Sequence, residues 1–284
     1  MEVELSTDGE RLAEMAASYL KADPFTTNVI GVHLAGVLSG VRRQDPDDLW
    51  AAVYDHGQVV GVAMYTPPRN LFVSHMPAPA AGALADAFLA KGVQLPGING
   101  EVTAATAFCD TWTMRTGQPS QLQALIRMYR LARLTIPTEV PGVARPAGPE
   151  DAEVVKEWFV AFQHEAVPHH PPDHVAVLAE RRLLGGELWL WMDDGRPVSL
   201  AGCSSAATGV ARVGPVYTPL RYRRRGYGAA VTAVATERAQ AAGAAHVVLY
   251  TDLANPTSNA VYRAIGYVPD HDGQERAFIG PVAD

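Results

Sequence analysis

The stretch Val213-Gly-Pro-Val-Tyr-Thr-Pro-Leu-Arg-Tyr-Arg-Arg-Arg-Gly-Tyr-Gly-Ala-Ala230 decides the fold of this chain. It predicts a short strand, then a loop rich in arginine and glycine, then an alanine-rich helix. Gly226 and Gly228 have no Cβ, so the loop backbone can turn sharply and approach a ligand closely. A helix start offers unpaired N–H groups and the positive end of the helix dipole. With the arginines at 223–225 beside it, this arrangement predicts a phosphate-binding loop.

Two familiar phosphate-binding patterns fit this stretch poorly. A Walker loop needs Gly-Lys-Ser/Thr at the helix start, which is absent here. A dinucleotide fingerprint fits better, because Gly226-Tyr-Gly228 precedes a helix and Asp252 ends the next predicted strand. However, Val231 occupies the third glycine position, and the glycines lie well beyond the end of the first strand. The dinucleotide interpretation is therefore the weaker one.

A second segment follows in a fixed order. The helix predicted over 228–242 ends at Gly243, and an apolar strand is predicted over 246–251. Next comes Asn255-Pro-Thr-Ser-Asn-Ala-Val-Tyr262-Arg-Ala-Ile-Gly266-Tyr267, in which Asn255 suits a helix N-cap and proline the first turn. Together, Arg223-x-x-Gly226-x-Gly228 and this segment resemble the two signatures of the GNAT superfamily of N-acetyltransferases, over roughly residues 143–284.

The resemblance implies a fold and a cofactor site. The fold is α/β (α+β), with two GNAT-like domains that each have a mixed, mostly antiparallel central sheet flanked by helices. Acetyl-CoA would bind as co-substrate through loop amides, the strand before the loop and Asn255, with the N–H of Val216 polarising the thioester carbonyl. The residues implied in cofactor binding are Val216, Tyr217, Thr218, Arg223, Arg224, Arg225, Gly226, Tyr227, Gly228, Ala229, Asn255 and Tyr262.

The resemblance also implies a catalytic acid. Tyr262 would protonate the departing thiolate; a phenol of pKa ~10 facing a thiol of ~8.5 makes this uphill by roughly 2 kcal/mol. The alternative is that Tyr262 only packs its ring and contacts the cofactor sulfur. The general base is less well defined. We take Glu165 as the first candidate, with His164 and Glu187 as alternatives; the competing interpretation for each is an ordinary solvated residue.

A cluster of histidines raises the question of a metal. His164, His169, His170 and His174 lie close to Asp173 in sequence. Their spacing fits no standard zinc site and no cysteine is near, so no metal is expected. Cys109 and Cys203 are far apart in apolar surroundings and are expected to be buried free thiols.

Length and composition limit the function further. The 284 residues exceed one domain of ordinary size, and the 48% hydrophobic content is ample for packed cores. A net charge of −7 gives no reason to expect a nucleic-acid partner. Neither a signal peptide nor a membrane span is recognisable, so a cytoplasmic protein is expected, as a monomer or homodimer.

An internal repeat predicts two copies of one α/β unit. Residues 49–63 can be laid over 188–201 with a one-residue gap, and both predict a hairpin with a Gly-containing turn. The first copy has Met76-Pro-Ala-Pro-Ala-Ala-Gly82 before its helix, with no arginine and two prolines that lack N–H groups. We therefore expect a degenerate domain at 1–137 without a cofactor loop, and an acetyl-CoA-binding domain at 143–284.

The sequence thus favours an acetyl-CoA-dependent N-acetyltransferase that acts on a primary amine, expected to belong to a small molecule. A non-catalytic CoA-binding or regulatory module is the alternative if Tyr262 is structural and no base is present. A dinucleotide-binding protein is the third, disfavoured interpretation.

Overall fold

The computed structural model describes residues 1–168, 175–206 and 208–280, and the chain divides into two units. Unit 1 consists of Met1–Arg127 and His271–Asp284, and unit 2 of Met128–Asp270. Two long strands, β6 (Ser120–Leu131) and β12 (Tyr267–Phe278), each run from one unit into the other. The domain boundaries expected at 137 and 143 stay a prediction.

Unit 1 is built from a meander followed by a crossover. Its strands are β1 (Glu2–Ser6), β2 (Leu49–Asp55), β3 (Gln58–Tyr65), β4 (Leu71–Val73) and β5 (Gly97–Glu101). Its helices are α1 (Gly9–Met15), α2 (Ala17–Ala22), α3 (Asn28–Leu38), α4 (Ala78–Ala90) and α5 (Val102–Thr116). Neighbours from β1 to β4 pair antiparallel, whereas β4 and β5 pair parallel. Parallel neighbours need a crossover, and α4 provides it.

Unit 2 repeats this order. Its strands are β7 (Val143–Pro146), β8 (Leu188–Asp193), β9 (Arg196–Cys203), β10 (Val210–Tyr217) and β11 (His246–Asp252). Its helices are α6 (Ala152–Ala166), α7 (Val175–Leu184), α8 (Tyr227–Ala241) and α9 (Pro256–Ala264), with single 3-10 turns at Pro149–Asp151 and Leu220–Tyr222. Again the neighbours are antiparallel except the last pair, β10 and β11, which α8 connects. The predicted fold class is confirmed.

The strands of each unit are covered on both faces, because successive apolar residues along a strand point into different cores. In β2, Ala51 and Val53 pack with α4 and α5, while Trp50 and Ala52 pack with α1 to α3. In unit 2, Ala201 of β9 lies in the core with α8, and its neighbour Leu200 lies in the core with α6 and α7. Two-sided burial explains why these strands read as near-continuous apolar runs.

The repeated hairpins share one turn geometry. His56 and Gly57 have φ of 46° and 77°, and Asp194 and Gly195 have φ of 47° and 70°. Positive φ at both central residues is typical of the type I′ turn, whose twist matches that of antiparallel strands. The hairpins inferred from the internal repeat are therefore confirmed in both units.

Some element boundaries differ from the sequence prediction. Residues 7–21 have a helical sequence pattern, but they form two short helices that meet at buried Ala16. Residues 127–135 have the sequence pattern of a strand, but the strand runs from Ser120 to Leu131, and its first four residues have no apolar pattern because they are partly or fully exposed. Cys109 and Cys203 are buried free thiols, as expected.

The segment between β4 and α4 packs down onto the sheet of unit 1. Ser74 is fully buried and its Oγ accepts a hydrogen bond from the N–H of Val62 at 3.0 Å. Met76 is also fully buried, so close to Gly61 that a Cβ there would meet the Cβ of Met76 at 2.6 Å. Pro77 occupies the N-cap of α4 without a side-chain cap. The arrangement leaves no arginine-bearing loop at this helix start.

Candidate functional site

The loop between β10 and α8 has the backbone geometry of an anion-binding site. Arg224 and Gly226 have φ of 62° and 82°, so the chain visits the left-handed region twice within three residues. Gly226 is the N-cap of α8 and offers no capping side chain. The first N–H groups of a helix have no intrahelical partner, and alternating backbone conformations converge neighbouring N–H groups. This loop, residues 221–226, is called the arginine loop below.

The arginine loop begins where two parallel strands separate. β10 pairs with β11 only from Val210 to Val213, whereas it pairs with β9 as far as Tyr217. A register shift between Val213 and Val216 accompanies this separation. Beyond Val213, β11 no longer pairs with β10, and this opens one edge of β10 on the side that faces away from β9.

Two glycines allow close packing around the first turn of α8. A Cβ at Gly226 would lie 2.8 Å from the Cγ2 of Val140, in addition to the strain of its positive φ. A Cβ at Gly228 would lie 3.3 Å from the Oγ1 of Thr218. Tyr227 between them is buried, and its hydroxyl donates to the Oδ2 of Asp193 at 2.5 Å. The Tyr227 side chain therefore anchors α8 in unit 2, while its N–H belongs to the helix start.

The first arginine of the predicted motif is held by the protein itself. The Nε of Arg223 donates to the carbonyl of Thr218 at 2.8 Å, and its Nη2 pairs with Glu165. The guanidinium also lies 5.9 Å from the ring centroid of Tyr217. The other carboxylate oxygen of Glu165 accepts from the Tyr217 hydroxyl at 2.8 Å. Both oxygens of Glu165 are therefore engaged.

These contacts shift the titration of both groups. The hydrogen bond from Arg223 is the main cause that lowers the pKa of Glu165. Burial, followed by the bond to Glu165, raises the pKa of Tyr217. A carboxylate stabilised in its charged form is a weaker proton acceptor. The role of Glu165 as general base stays a prediction, and its contacts favour another role, which is argued further below.

A buried serine on the neighbouring strand β9 holds the end of β10 in place. Ser199 is fully buried, and its Oγ lies 3.1 Å from the carbonyl oxygen of Tyr217, to which it donates, and 2.7 Å from the Oγ1 of Thr218. Thr218 also contacts the first turn of α8. Ser199 therefore helps to fix the position of the chain where β10 passes into the arginine loop. The sequence prediction missed Ser199, and a lone serine in an apolar strand was the available signal.

Tyr262 lies on α9 within an aromatic cluster. Its ring centroid is 6.5 Å from that of Tyr129 and 6.4 Å from that of Tyr267. Burial raises the pKa of Tyr262 to about 12, against a smaller opposing hydrogen bond with Ser258. The phenol is therefore fully protonated at neutral pH. It is also a weaker acid than the unperturbed side chain, which widens the gap to a thiol to ~3.5 pKa units, or roughly 5 kcal/mol.

Hydrogen bonds of Asn255 and Asn259 fix the start of α9 and its position in unit 2. The side chain of Asn255 caps the helix by accepting from the N–H of Ser258 at 3.0 Å, so the predicted N-cap is confirmed. Asn259, which the sequence prediction missed, is buried and uses both ends of its amide. Its Nδ2 donates to the carbonyls of Asp252 and Asn255, and its Oδ1 accepts from the hydroxyl of Tyr129 at 2.8 Å. Its position three residues before Tyr262 on one helix face was the available signal.

Asn259→Leu should destabilise unit 2 by about 2–3 kcal/mol, because two backbone carbonyls and one hydroxyl lose a buried partner. Urea unfolding followed by tryptophan fluorescence measures the change. Asn255→Ala is the comparison, with about 1 kcal/mol expected for the loss of an exposed cap. An Asn259→Leu protein as stable as the parent would show that these three contacts contribute nothing net.

The other base candidates have different surroundings. The carboxylate of Glu187 pairs with the Nε of Arg182 at 2.7 Å, so it too is engaged in an ion pair. His164 is exposed in the last turn of α6. His169, His170, Asp173 and His174 lie outside the described residues. Within the described ranges, no group of three or more metal-ligating side chains comes together.

A cleft of about 440 Å³ opens in unit 2 beside the arginine loop. One wall is α6, the other the chain from Tyr217 to Arg221. It contains two carboxylates, of Glu157 and Glu165, and the aromatic pair Trp158 and Tyr217, whose centroids are 6.2 Å apart. Its size suits a small molecule.

The sequence of unit 2 matches a known family model. The match covers residues 152–267, and the model describes the acetyltransferase (GNAT) family. Residues 152–267 are a GNAT acetyltransferase domain. The chain is therefore an enzyme of the N-acetyltransferase type, and the family uses acetyl-CoA as its co-substrate. No curated protein sequence matches the chain.

Solved structures share the fold over nearly the whole chain. A GCN5-related N-acetyltransferase from Sphaerobacter thermophilus superposes with a TM-score of 0.65 at 15% identity, over 99% of this chain and 97% of its own. An acetyltransferase of the GNAT family from Colwellia psychrerythraea gives 0.58 at 12% identity, over 98% and 99%. A Drosophila protein gives 0.67 at 13% identity, over 98% of both chains. At such identities the likeness shows a common fold.

Among residues 1–168, 175–206 and 208–280, no helix combines the length and the apolar character that crossing a membrane requires.

Proposed function

We propose that this enzyme transfers the acetyl group of acetyl-CoA to a primary amine of a small molecule, with the chemistry in unit 2. One observation carries the proposal: an arginine-bearing loop with two left-handed residues leads into an uncapped helix start, at the point where β10 leaves β11. The pyrophosphate needs the loop and the helix start, and the extended pantetheine arm needs the free strand edge next to them.

The residues present fit acetyl-CoA. The N–H groups from Arg224 to Ala229, which include those of Tyr227 and Gly228, would face the pyrophosphate, with the side chains of Arg224 and Arg225 adding positive charge. The backbone of Val216, Tyr217 and Thr218 would lie along the pantetheine arm, and Asn255 would order its entry. The N–H of Val216 would hydrogen-bond the thioester oxygen.

The reaction supplied by the thioester is acyl transfer. The neutral amine nitrogen would form a bond to the acetyl carbon and the carbon–sulfur bond would break. The nitrogen would release one proton to solvent, and the departing thiolate would take one, which leaves an amide and free CoA. In this proposal the hydroxyl of Tyr262 gives that proton, because it remains protonated at neutral pH. The charge that develops on the carbonyl oxygen is stabilised by the strand N–H.

The cleft between α6 and the arginine loop is the proposed entrance for the acceptor. It opens beside Tyr217, which ends β10, and the carboxylate of Glu157 lies within it. Carboxylates attract an ammonium group, and aromatic faces do so as well.

Titration calorimetry with acetyl-CoA tests the cofactor part. We expect one site per chain, because the β4–α4 segment has buried Ser74 and Met76 and a proline N-cap in place of a loop of amides and arginines. NAD(P) serves as the control ligand and should not bind. Two sites per chain, or tighter binding of NAD(P), would overturn the assignment.

Turnover separates the enzyme from a CoA-binding module. Release of free CoA thiol is followed with a thiol reagent, with acetyl-CoA and a panel of small primary amines. Acceleration by at least one amine over the slow hydrolysis of acetyl-CoA supports the proposal. Tight binding of acetyl-CoA without any amine-dependent release across the panel would favour the module.

A further inference from the structure

Arg223 differs from Arg224 in its contacts, and Arg225 makes a side-chain hydrogen bond of its own, with Tyr227. Two hydrogen bonds hold its guanidinium: Nε donates to the carbonyl of Thr218 at 2.8 Å, and Nη2 donates to Glu165. The ring of Tyr217 lies 5.9 Å from the guanidinium carbon. Among the described residues, no ion pair or side-chain hydrogen bond holds Arg224, which is exposed. Consecutive arginines in this loop therefore have different surroundings.

Glu165 is the centre of this arrangement. Its side chain comes from the last turn of α6 and bridges Arg223 with one oxygen and Tyr217 with the other. Tyr217 and Thr218 are themselves held by hydrogen bonds with the hydroxyl of Ser199. The end of α6, the end of β10 and the first residue of the motif are thus joined through one carboxylate. An arginine neutralised in this way adds little net charge toward a ligand.

We propose that Glu165 is a positioning residue that clamps Arg223 to the end of β10, so that the backbone of the arginine loop is preset for the cofactor, while Arg224 and Arg225 supply the charge. The proposal rests on acetyl-CoA binding in unit 2. It assigns to Glu165 a task other than proton abstraction and to Arg223 a task other than contact with the pyrophosphate.

A double-mutant cycle on acetyl-CoA affinity tests the clamp. Glu165→Gln and Arg223→Gln should each weaken binding about tenfold, and the double variant should be no weaker than either alone, because all three lack the same contact. Glu153→Gln, on the exposed face of the same helix, is the matched control and should bind as the parent does. Multiplying losses in the double variant would overturn the clamp.

Salt dependence gives a readout that a purely structural role would not produce. If Arg223 and Glu165 form a neutral pair, the double variant Glu165→Gln/Arg223→Gln should keep the parental slope of affinity against ionic strength, because it removes no net charge. Arg224→Gln should reduce that slope, and its effect should multiply with that of Glu165→Gln. A reduced slope in the double variant would mean that Arg223 contributes its charge to the ligand, and would overturn the proposal.

Two further arms keep the outcome interpretable. Arg223→Lys keeps the charge but cannot reach Thr218 and Glu165 together, so it should resemble Arg223→Gln if the fork geometry matters. Thermal unfolding of every variant checks the fold. Failure of the parent protein to bind acetyl-CoA would refute the proposed function, whereas parental binding without coupling between Glu165 and Arg223 would refute the clamp alone.

Discussion

Gly226→Glu is expected to weaken acetyl-CoA binding by at least about 100-fold. Three effects act together at this position. The added side chain needs a φ of +82°, its Cβ meets Val140 at 2.8 Å, and its carboxylate lies at the helix start where negative phosphate charge is proposed to bind. Calorimetric titration measures the loss, with circular dichroism to check the fold. No second site should remain, since unit 1 has no equivalent loop.

Gly243→Glu is the matched control for Gly226→Glu. Gly243 has a φ of +93°, follows the other end of α8, and has no heavy atom within 4 Å of an added Cβ. It therefore carries the same backbone penalty without the steric clash or the electrostatic conflict at the loop. If Gly226→Glu folds and binds acetyl-CoA as well as Gly243→Glu does, the cofactor loop is misassigned.

Tyr262→Phe is expected to lower kcat by about 10²-fold, with acetyl-CoA affinity nearly unchanged. The substitution removes one hydroxyl and keeps the ring that packs on Tyr129 and Tyr267. Because the pKa of Tyr262 is about 12, the remaining activity and the parental activity should have the same pH dependence below pH 10. Steady-state kinetics with saturating amine measures both quantities.

Tyr267→Phe is the control for this experiment. Tyr267 is as deeply buried and touches Tyr262, but its hydroxyl lies 2.6 Å from the Oγ1 of Thr236 inside unit 2. Its loss should lower stability and leave kcat within a factor of about two. Unchanged turnover in Tyr262→Phe would reduce Tyr262 to a packing residue, and a loss of affinity alone would make it a cofactor contact.

Local chemistry was enough to predict several parts of the fold. The type I′ turns at His56-Gly57 and Asp194-Gly195 follow from residues that accept positive φ. Asn255 before Pro256 is a helix start whatever surrounds it, because cap and first-turn preferences act within four residues. The same holds for Gly226 at the head of α8. Such signals depend on neighbouring residues only, so they can be recognised in the sequence without knowledge of the tertiary structure.

Strands that begin with exposed residues, and helices without clear hydrophobic periodicity, were harder to predict from the sequence. β6 begins with exposed polar residues, and α5 is recognisable mainly by its ends, Glu101 as N-cap and Gly117 after the last turn. Their place depends on which partners they meet, and pattern alone does not encode that. Helix propensity is a weak preference that tertiary packing overrides.

From the sequence alone it could be predicted that an arginine- and glycine-bearing loop leads into a helix in the second half, and that the first half has no such loop; the structure has the loop before α8 and a proline at the start of α4. The prediction was possible because glycine conformation, missing proline N–H groups and helix-end electrostatics are properties of neighbouring residues. Only the tertiary structure decided what each charged side chain does. Glu165 and Arg223 are 58 positions apart, and Tyr129 and Asn259 are 130 apart. Such pairings depend on where packing places α6, β10 and α9, since a carboxylate or an amide takes its role from the partner within about 3 Å.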